Sequence, residues 1–313
     1  LSLSRHSAGQ TGRETAFQSG GRYKMFQIIG IIVVFVMVFG GFSLAGGHFD
    51  VILKAMPFEL MMIGGAAVGA FLIGNKPKTV TKTLGDFAKI FTGPKWKAQD
   101  YTDLLSLLFL LTKTMKTKGV IALESHIENP KDSAIFTRYP RIMKDHFAVD
   151  FICDTLRMMT MNLEDPHQVE DAMEKQLEKH HHEAADPAHA MQTMADGLPA
   201  LGIVAAVLGV IKTMGAINQP PEYLGKLIGS ALVGTFLGVF LAYGLVGPFA
   251  ARMGAVIDEE GKFYHIIKDF LVAHLHGNAA QISVEIGRGN IPTPAQPSFA
   301  QLEEALNNAP EAG

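Results

Sequence analysis

Two apolar segments decide the fold of this chain: DGLPALGIVAAVLGVIKTMGAI at residues 196–217, and KLIGSALVGTFLGVFLAYGLVGPFAAR at residues 226–252. Between Leu198 and Ile217 the only charged residue is Lys212, and no charge lies between Leu227 and Ala251. A helix of about 20 residues covers the ~30 Å hydrocarbon core of a bilayer. Both segments are therefore predicted to be transmembrane helices, and from Leu198 and Leu227 onward neither span contains a carboxylate of its own.

The first half of the chain contains two further apolar segments. Phe26–Leu44 has no charge, and Val51–Ile73 has only Lys54 and Glu59, both near one end. Backbone groups in lipid must bond within their own segment, so each span is expected to be helical. With 48% hydrophobic and 18% charged residues, the composition favours a membrane protein over a soluble domain. The sequence predicts an all-α membrane protein with four transmembrane helices and a large cytoplasmic helical insert between the second and third.

The positions of lysine and arginine predict the orientation. Sixteen of the 27 fall between Asn75 and Asp196, whereas the short loops Ala45–Asp50 and Asn218–Tyr223 contain none. Since positive residues accumulate on the cytoplasmic side, both termini and the insert are expected in the cytoplasm. The second, third and fourth spans are expected to continue into the insert.

The predicted organisation has five parts. These are a disordered N-terminal extension (1–24), the first two transmembrane helices (25–74), a cytoplasmic helical domain (75–196), the third and fourth transmembrane helices (197–252), and a cytoplasmic C-terminal helix and tail (253–313).

The insert is helical by its apolar pattern. Leu104, Leu105, Leu108 and Leu111 recur at helical spacing, and Gly119 is expected to interrupt that helix. Strand signals are weak, and only the segment ISVEI at 282–286 alternates.

Small residues recur in the third and fourth spans at spacings that allow close helix contact. Gly202, Ala206 and Gly209 fall near one face of the third, and Gly234 and Gly238 repeat at four in the fourth. Plain helix packing accounts for the glycines.

Thr235 has two interpretations, which the sequence leaves nearly even. Its mid-span hydroxyl serves a polar path or a bound ion, or it bonds back to a carbonyl one turn away.

Two prolines, Pro199 and Pro248, are expected at matching depth near the cytoplasmic ends of the third and fourth spans. A proline near a helix end is ordinary, but a matched pair favours a hinge or gate.

Lys54, Lys212 and Glu59 are expected to extend to the membrane surface. No carboxylate is then left deep enough to carry a proton.

Other chemistries have little support in the sequence. His180–His182 and His189 lack companion ligands at metal-site spacing, so a solvated face is expected there. No nucleophile motif, phosphate loop, basic stripe or nucleic-acid motif occurs. Neither an enzyme nor a nucleic-acid-binding protein is predicted, and no cofactor is expected.

From Met25 onward the chain resembles the A subunit of the bacterial flagellar stator, the MotA/PomA family. The resemblance rests on the following motifs: FELMMIGGAAVGAFLIGN (58–75), ESHIENP (124–130), YPRI (139–142), LPALGIVAAVLGVI (198–211) and GTFLGVFLAYGLVGP (234–248). It implies a protein of the inner membrane that forms a pentamer around two single-span B subunits. Each B subunit contributes a proton-carrying Asp and a peptidoglycan-binding domain, which accounts for the missing acid.

The resemblance also implies residue roles. Pro199 and Pro248 match prolines that couple ion binding to movement, and Thr235 matches a hydroxyl residue near the ion path that the third and fourth spans line. Ala206 stands where sodium-driven members have Thr, which favours protons. Lys116 and Glu124 match a charged pair that meets the rotor protein FliG, although Lys116 replaces the usual Arg.

The chain is thus predicted to be a stator subunit that converts the proton-motive force into torque. The alternatives are a sodium-driven stator, a proton-driven energiser of envelope processes like ExbB or TolQ, and a membrane scaffold without ion flux. An ExbB or TolQ energiser is less favoured than a stator, because those relatives have three spans and four are predicted in this chain.

Overall fold

The computed structural model describes residues 24–161 and 165–308, so the extension predicted to be disordered lies outside it except for Lys24. Every regular element in these ranges is helical, including the segment 282–286. The helices are α1 (Lys24–Leu44), α2 (Asp50–Gly74), α3 (Pro77–Asp86), α4 (Lys89–Thr92), α5 (Ala98–Lys118), α6 (Val120–Glu128), α7 (Pro140–Met143), α8 (His146–Thr160), α9 (Pro166–Met214), α10 (Pro221–Leu275), α11 (Ala280–Gly289) and α12 (Phe299–Asn307).

The chain divides into two compact units. Within the described residues, the span unit comprises 24–93 and 184–256, and the insert unit comprises 94–161, 165–183 and 257–308. Four helices, α1, α2, α9 and α10, are long and apolar enough to cross a membrane. The predicted fold class, an all-α protein with four spans and a helical insert, is confirmed.

The spans differ in whether their helices continue beyond the membrane-spanning part. Helices α9 and α10 are 49 and 55 residues long in total and continue into the insert unit, as expected. The expectation for the second span is wrong, because α2 ends at Gly74 and Asn75 takes an extended backbone. Pro77 begins the next helix and disfavours the helical conformation of Lys76, so α2 cannot continue through it.

Helices α9 and α10 of the span unit meet backbone to backbone. A Cβ atom placed on Gly202 would lie 2.8 Å from the carbonyl oxygen of Gly234 and 3.0 Å from Gly238 Cα. A Cβ on Gly238 would lie 2.7 Å from the carbonyl oxygen of Leu198. Backbone atoms fill the space that any side chain would need, so the small-residue faces do pack against each other, as predicted.

Helix α10 also contacts the first two spans. Phe35 and Phe39 of α1 meet Phe240 edge to face, with ring centroids 5.3 and 5.5 Å apart. On α2, Val51 reaches Gly229, where a Cβ would lie 3.3 Å from Val51 Cγ1. Within the span unit, α10 is therefore the helix against which the other three spans pack.

The core of the insert unit is built around α5. The predicted leucine stripe is fully buried, and Leu107 and Leu110 are buried as well, so α5 is enclosed on most sides. Gly119 ends the helix with a φ of 86°, which confirms the predicted interruption and suits glycine. Trp96 stacks on Phe263 with ring centroids 3.8 Å apart.

A polar cluster at the edge of this core joins three segments. Asp145 pairs with Lys95 Nζ, accepts a hydrogen bond of 3.0 Å from the Tyr264 hydroxyl, and caps α8 by accepting from the Ala148 amide at 2.9 Å. Burial acts to raise the pKa of Asp145, but the bonds from Lys95 and Ala148 outweigh it and hold the pKa below its usual value. The carboxylate is therefore stabilised in its charged form.

The histidine run is only partly the solvated face that was expected. His180 stacks on Phe147 with ring centroids 3.6 Å apart and meets Tyr264 edge to face. His181 and His182 are exposed. The prediction for His180 is wrong because its position on α9 puts the ring between Phe147 of α8 and Tyr264 of α10. No group of three metal-ligand side chains occurs in the described ranges.

Substituting Gly238→Ala should destabilise the span unit. Its methyl group would collide with two backbone atoms that cannot move aside, and overpacking of this kind costs about 1–3 kcal/mol. Thermal unfolding of the detergent-solubilised chain measures the effect. The matched control is Gly225→Ala in the same helix, where no atom lies within 4 Å. Equal unfolding temperatures for the two variants would contradict the close contact.

Substituting Asp145→Asn should destabilise the insert unit by about 1–3 kcal/mol at neutral pH, because Lys95 and Tyr264 lose a charged acceptor. Since the folded pKa is depressed, the contribution is complete above the unfolded value of about 3.9 and is lost as pH falls through the folded value. Fluorescence of Trp96, the one tryptophan of the sequence, reports denaturant unfolding. Asp150→Asn, an exposed change on the same helix, is the control, and an equal midpoint shift there would refute the role of Asp145.

Candidate functional site

The crossing of α9 and α10 brings two of the predicted ion-path residues to one level. A Cβ on Gly234 would lie 3.3 Å from the backbone nitrogen of Ala206 and 3.2 Å from Ala205 Cβ. Thr235 follows Gly234 directly in the chain. Ala206 and Thr235 therefore stand at the same height in the span unit, both half-buried.

Thr235 is half-buried, and its hydroxyl makes no hydrogen bond within the described structure. Thr213 behaves differently, since its Oγ1 donates to the carbonyl oxygen of Gly209 at 2.9 Å. Of the two interpretations of Thr235, back-bonding is thus absent, and the hydroxyl is available to a polar group or water.

Glu59 of α2 lies at the level of Ala206 and Thr235, and its position differs from the one expected from the sequence. Its side chain is 5% exposed, and its Oε2 lies 2.6 Å from the point where a Cβ on Gly234 would stand. Oε2 has no hydrogen-bond partner in the described parts of the chain. The expectation that Glu59 extends to the membrane surface is wrong, because α2 turns this residue toward α10, where a glycine leaves room for the carboxyl group.

A cavity of about 530 Å³ adjoins Glu59. It lies between α2, α9 and α10, toward the ends of these helices that the short loops connect. Polar and charged side chains line it together with apolar ones; the charged and hydroxyl-bearing residues are Asp50, Lys54, Glu59, Lys212, Lys226 and Ser230. The side chains of Lys54, Lys212 and Lys226 are exposed, and the extension of Lys54 and Lys212 to the membrane surface stays a prediction.

The two prolines of the predicted hinge lie at different depths, so the expectation of a matched pair is wrong. Leu198, next to Pro199, is level with Gly238. Pro248 follows Gly238 by ten residues, which is roughly 15 Å along the helix. The antiparallel register of α9 and α10, set by the glycine contacts, causes this offset.

Each proline has its own local effect. Pro199 lies inside α9 and deprives the carbonyl group of Ala195 of its helical donor. Pro248 follows a π-helical turn at Ala242–Val246. A proline ring clashes with the carbonyl four residues earlier, so a widened turn before it relieves the conflict. Pro199 therefore perturbs α9 at the α9–α10 contact, whereas the irregular turn before Pro248 lies beyond that contact.

The predicted rotor-contact residues are both on the surface of the insert unit. Lys116 lies in the last turn of α5, and Glu124 lies in α6, beyond Gly119. Both are exposed, and no ion pair between them occurs in the described structure. Lys116 also faces His274 of α10, whose pKa is lowered by burial and further by the Lys116 charge.

Comparisons with known proteins agree with this architecture. Residues 28–119 match the family described as motility protein A N-terminal, and residues 144–264 match the MotA/TolQ/ExbB proton channel family. Motility protein A of Salmonella typhimurium is 40% identical over 280 residues, covering 90% of this chain and 94% of that protein. The Escherichia coli protein is 39% identical with the same coverage. Chemotaxis protein LafT of Vibrio parahaemolyticus is 34% identical over 282 residues, covering 90% of this chain and 98% of that protein.

Two solved structures share the fold. The MotAB structure from Campylobacter jejuni aligns with a TM-score of 0.66 at 18% identity, covering 87% of this chain and 98% of that chain. The flagellar MotAB stator complex of Bacillus subtilis aligns with a TM-score of 0.64 at 23% identity, covering 85% and 96%. With four apolar helices, no carboxylate in the apolar parts of α9 (198–214) and α10 (227–251), and 40% identity over 90% of its length, the chain belongs to the motility protein A family.

Proposed function

We propose that this chain is the A-type stator subunit of the bacterial flagellar motor, which forms with a B-type subunit a proton channel that converts the proton-motive force into torque. The observation that carries the proposal is the α9–α10 pair of a motility protein A. Its backbones touch at Gly202 and Gly238, and its apolar parts (198–214 and 227–251) contain no acid. It also holds the unbonded hydroxyl of Thr235 at the level of Ala206.

A B-type partner supplies the carboxylate that the apolar parts of α9 and α10 lack. The related structures are MotAB complexes, which supports such a partner. Helix α9 also presents an apolar face that no described residue covers, formed by Ile203, Val204, Val207, Leu208 and Ile211. An uncovered face of this kind suits a helix of the partner or a neighbouring copy of the chain. We propose a pentamer around two B subunits, with one proton-carrying Asp on each B helix.

The transported ion is proposed to be the proton. The matched family is one of proton channels, and Ala206 offers no oxygen ligand for a metal ion. Each 100 mV of membrane potential supplies about 2.3 kcal/mol per charge, which is enough to bias a two-state helix bundle. Pro199 removes a helical hydrogen bond within the third span, and Pro248 follows the π-helical turn of the fourth; at these two places the bundle bends as the ion moves.

The chain is placed in the bacterial inner membrane as a multi-pass protein. We propose that both termini and the insert unit face the cytoplasm, because the lysines and arginines concentrate there. Lys116 and Glu124 then face the rotor protein FliG from the cytoplasmic side. Four candidate spans, the match of residues 28–119 to the motility protein A N-terminal family and the 40% identity to a motility protein A favour a stator over a three-span ExbB or TolQ energiser.

Substituting Pro199→Ala should lower motor torque. Alanine restores the hydrogen bond to the Ala195 carbonyl and stiffens α9, which removes the bend that couples ion passage to movement. A loss of about fivefold or more is expected, the size of an ordinary coupling free energy of ~1–3 kcal/mol. Torque is measured from the rotation of a bead attached to the flagellar filament of an immobilised cell that also expresses the cognate B subunit.

The control for this test is Pro187→Ala, the same chemical change in the same helix but before the span. It should leave torque near the wild-type value. Wild-type torque in Pro199→Ala, at an equal amount of membrane protein, would count against the proposed hinge.

Substituting Lys116→Glu should reduce torque without changing proton leak, because it alters the rotor contact and leaves the ion path intact. Lys116→Arg should keep torque, since it retains the charge and adds a planar hydrogen-bonding fork. Lys131→Glu reverses another exposed lysine of the insert unit and should have little effect. Equal losses for Lys116→Glu and Lys131→Glu would mean that general surface charge is responsible.

A further inference from the structure

We propose that Glu59 is a second proton-binding carboxyl group of the motor, supplied by this subunit and reached by water through the cavity between α2, α9 and α10. The inference deepens the proposed function, because the use of this proton in the ion path depends on that function. The binding of a proton by Glu59 does not depend on it.

The first support is that Glu59 is buried without a partner. Its side chain is 5% exposed and its Oε2 has no hydrogen-bond donor in the described residues. No described lysine, arginine or histidine pairs with it. An isolated carboxylate in such a position costs several kcal/mol, whereas a protonated carboxyl or a hydrated one costs much less. The Glu59 carboxyl group is therefore stabilised in this position either by binding a proton or by contact with water.

The second support is the cavity at the carboxyl group. Its volume of about 530 Å³ far exceeds the ~30 Å³ that a water molecule occupies, and its polar lining offers the hydrogen bonds that buried water needs. Asp50, Lys54, Lys212 and Lys226 line it together with Glu59. Lys54 precedes Glu59 by five residues, roughly 7.5 Å along α2, so the lysines lie between the carboxyl group and the short-loop end of the spans.

The charges of this lining select a proton over a metal cation. Three ammonium groups, those of Lys54, Lys212 and Lys226, outnumber the carboxylates of Asp50 and Glu59. A sodium ion would have to enter against this excess of positive charge, and it needs several oxygen ligands at once. A proton passes along water and needs one oxygen atom. In the step itself, a carboxylate oxygen of Glu59 takes a proton from cavity water and later returns it, and no other bond changes.

The third support connects Glu59 to the α9–α10 crossing. Its Oε2 occupies the space beside Gly234, where a Cβ would lie 2.6 Å away. The same Cβ would lie 3.3 Å from the nitrogen of Ala206, and Thr235 is the next residue. A neutral carboxyl group packs dry against Gly234, whereas an ionised one draws water or the nearby lysines. Protonation of Glu59 therefore changes packing at the level of the predicted ion path.

The direct test is chemical labelling of the wild-type chain with its B subunit in native membranes. Dicyclohexylcarbodiimide adds to protonated carboxyl groups in apolar surroundings, and peptide mass spectrometry locates the adduct. We expect labelling at Glu59 that declines as the pH on the short-loop side rises. Glu222, an exposed carboxyl group that does not line the cavity, should stay unlabelled. Absence of label on Glu59 at every pH, or labelling that does not depend on pH, would overturn the proposal.

The functional test compares motor speed over a range of external pH. Glu59→Gln keeps the shape of the side chain and removes the proton site, so we expect about a fivefold loss of speed and a flattened pH dependence. Glu59→Asp should retain a pH dependence, and Glu222→Gln should match wild type. Wild-type speed and pH profile in Glu59→Gln would overturn the role of Glu59. If wild-type protein with its B subunit turned no motor, the proposed function would fail, and labelling would still decide whether Glu59 binds a proton.

Discussion

The span unit depends on one contact, the meeting of the α9 and α10 backbones at Gly202, Gly234 and Gly238. Lipid tails are as apolar as the side chains of the spans, so burial of apolar area drives these helices together only weakly. Close van der Waals contact between backbones supplies the association instead. It also sets the register of the two antiparallel helices, and this register decides which residues share a level.

That register explains the arrangement of the candidate site. It puts Ala206 beside Gly234 and at the level of Thr235. It also leaves Pro248 ten residues, or nearly three helical turns, beyond the level of Gly238, whereas Pro199 lies next to that level. The two prolines therefore do not form one hinge plane. Pro199 perturbs α9 at the level of Gly238, and Pro248 perturbs α10 beyond a π-helical turn. In the proposed motor, the helices would bend first at one depth and then at the other, and a change in packing at the ion path would pass along the bundle in this way.

The same glycine serves two neighbours. Gly234 admits the backbone of α9 on one side and the carboxyl group of Glu59 on the other. A methyl group at this position would press on both. The insert unit uses a different principle, since its stability rests on a buried leucine and aromatic core closed by the cluster of Lys95, Asp145 and Tyr264. The two units are thus held by backbone contact in one case and by side-chain burial in the other.

Local pattern in the sequence was enough to predict the four spans, the helical insert, the break at Gly119 and the small-residue faces. Each of these follows from apolar length or helical spacing within a single segment. The positions of Glu59, His180 and Pro248 were decided only by tertiary structure, because each depends on the rotation or register of one helix against another. Glu59 is the tenth residue of α2, and from the sequence alone such a position predicts a side chain at the membrane surface. Only the packing of α2 against Gly234 of α10 shows that the carboxyl group is buried. The sequence by itself determined which helices form, and tertiary packing decided which polar groups those helices enclose.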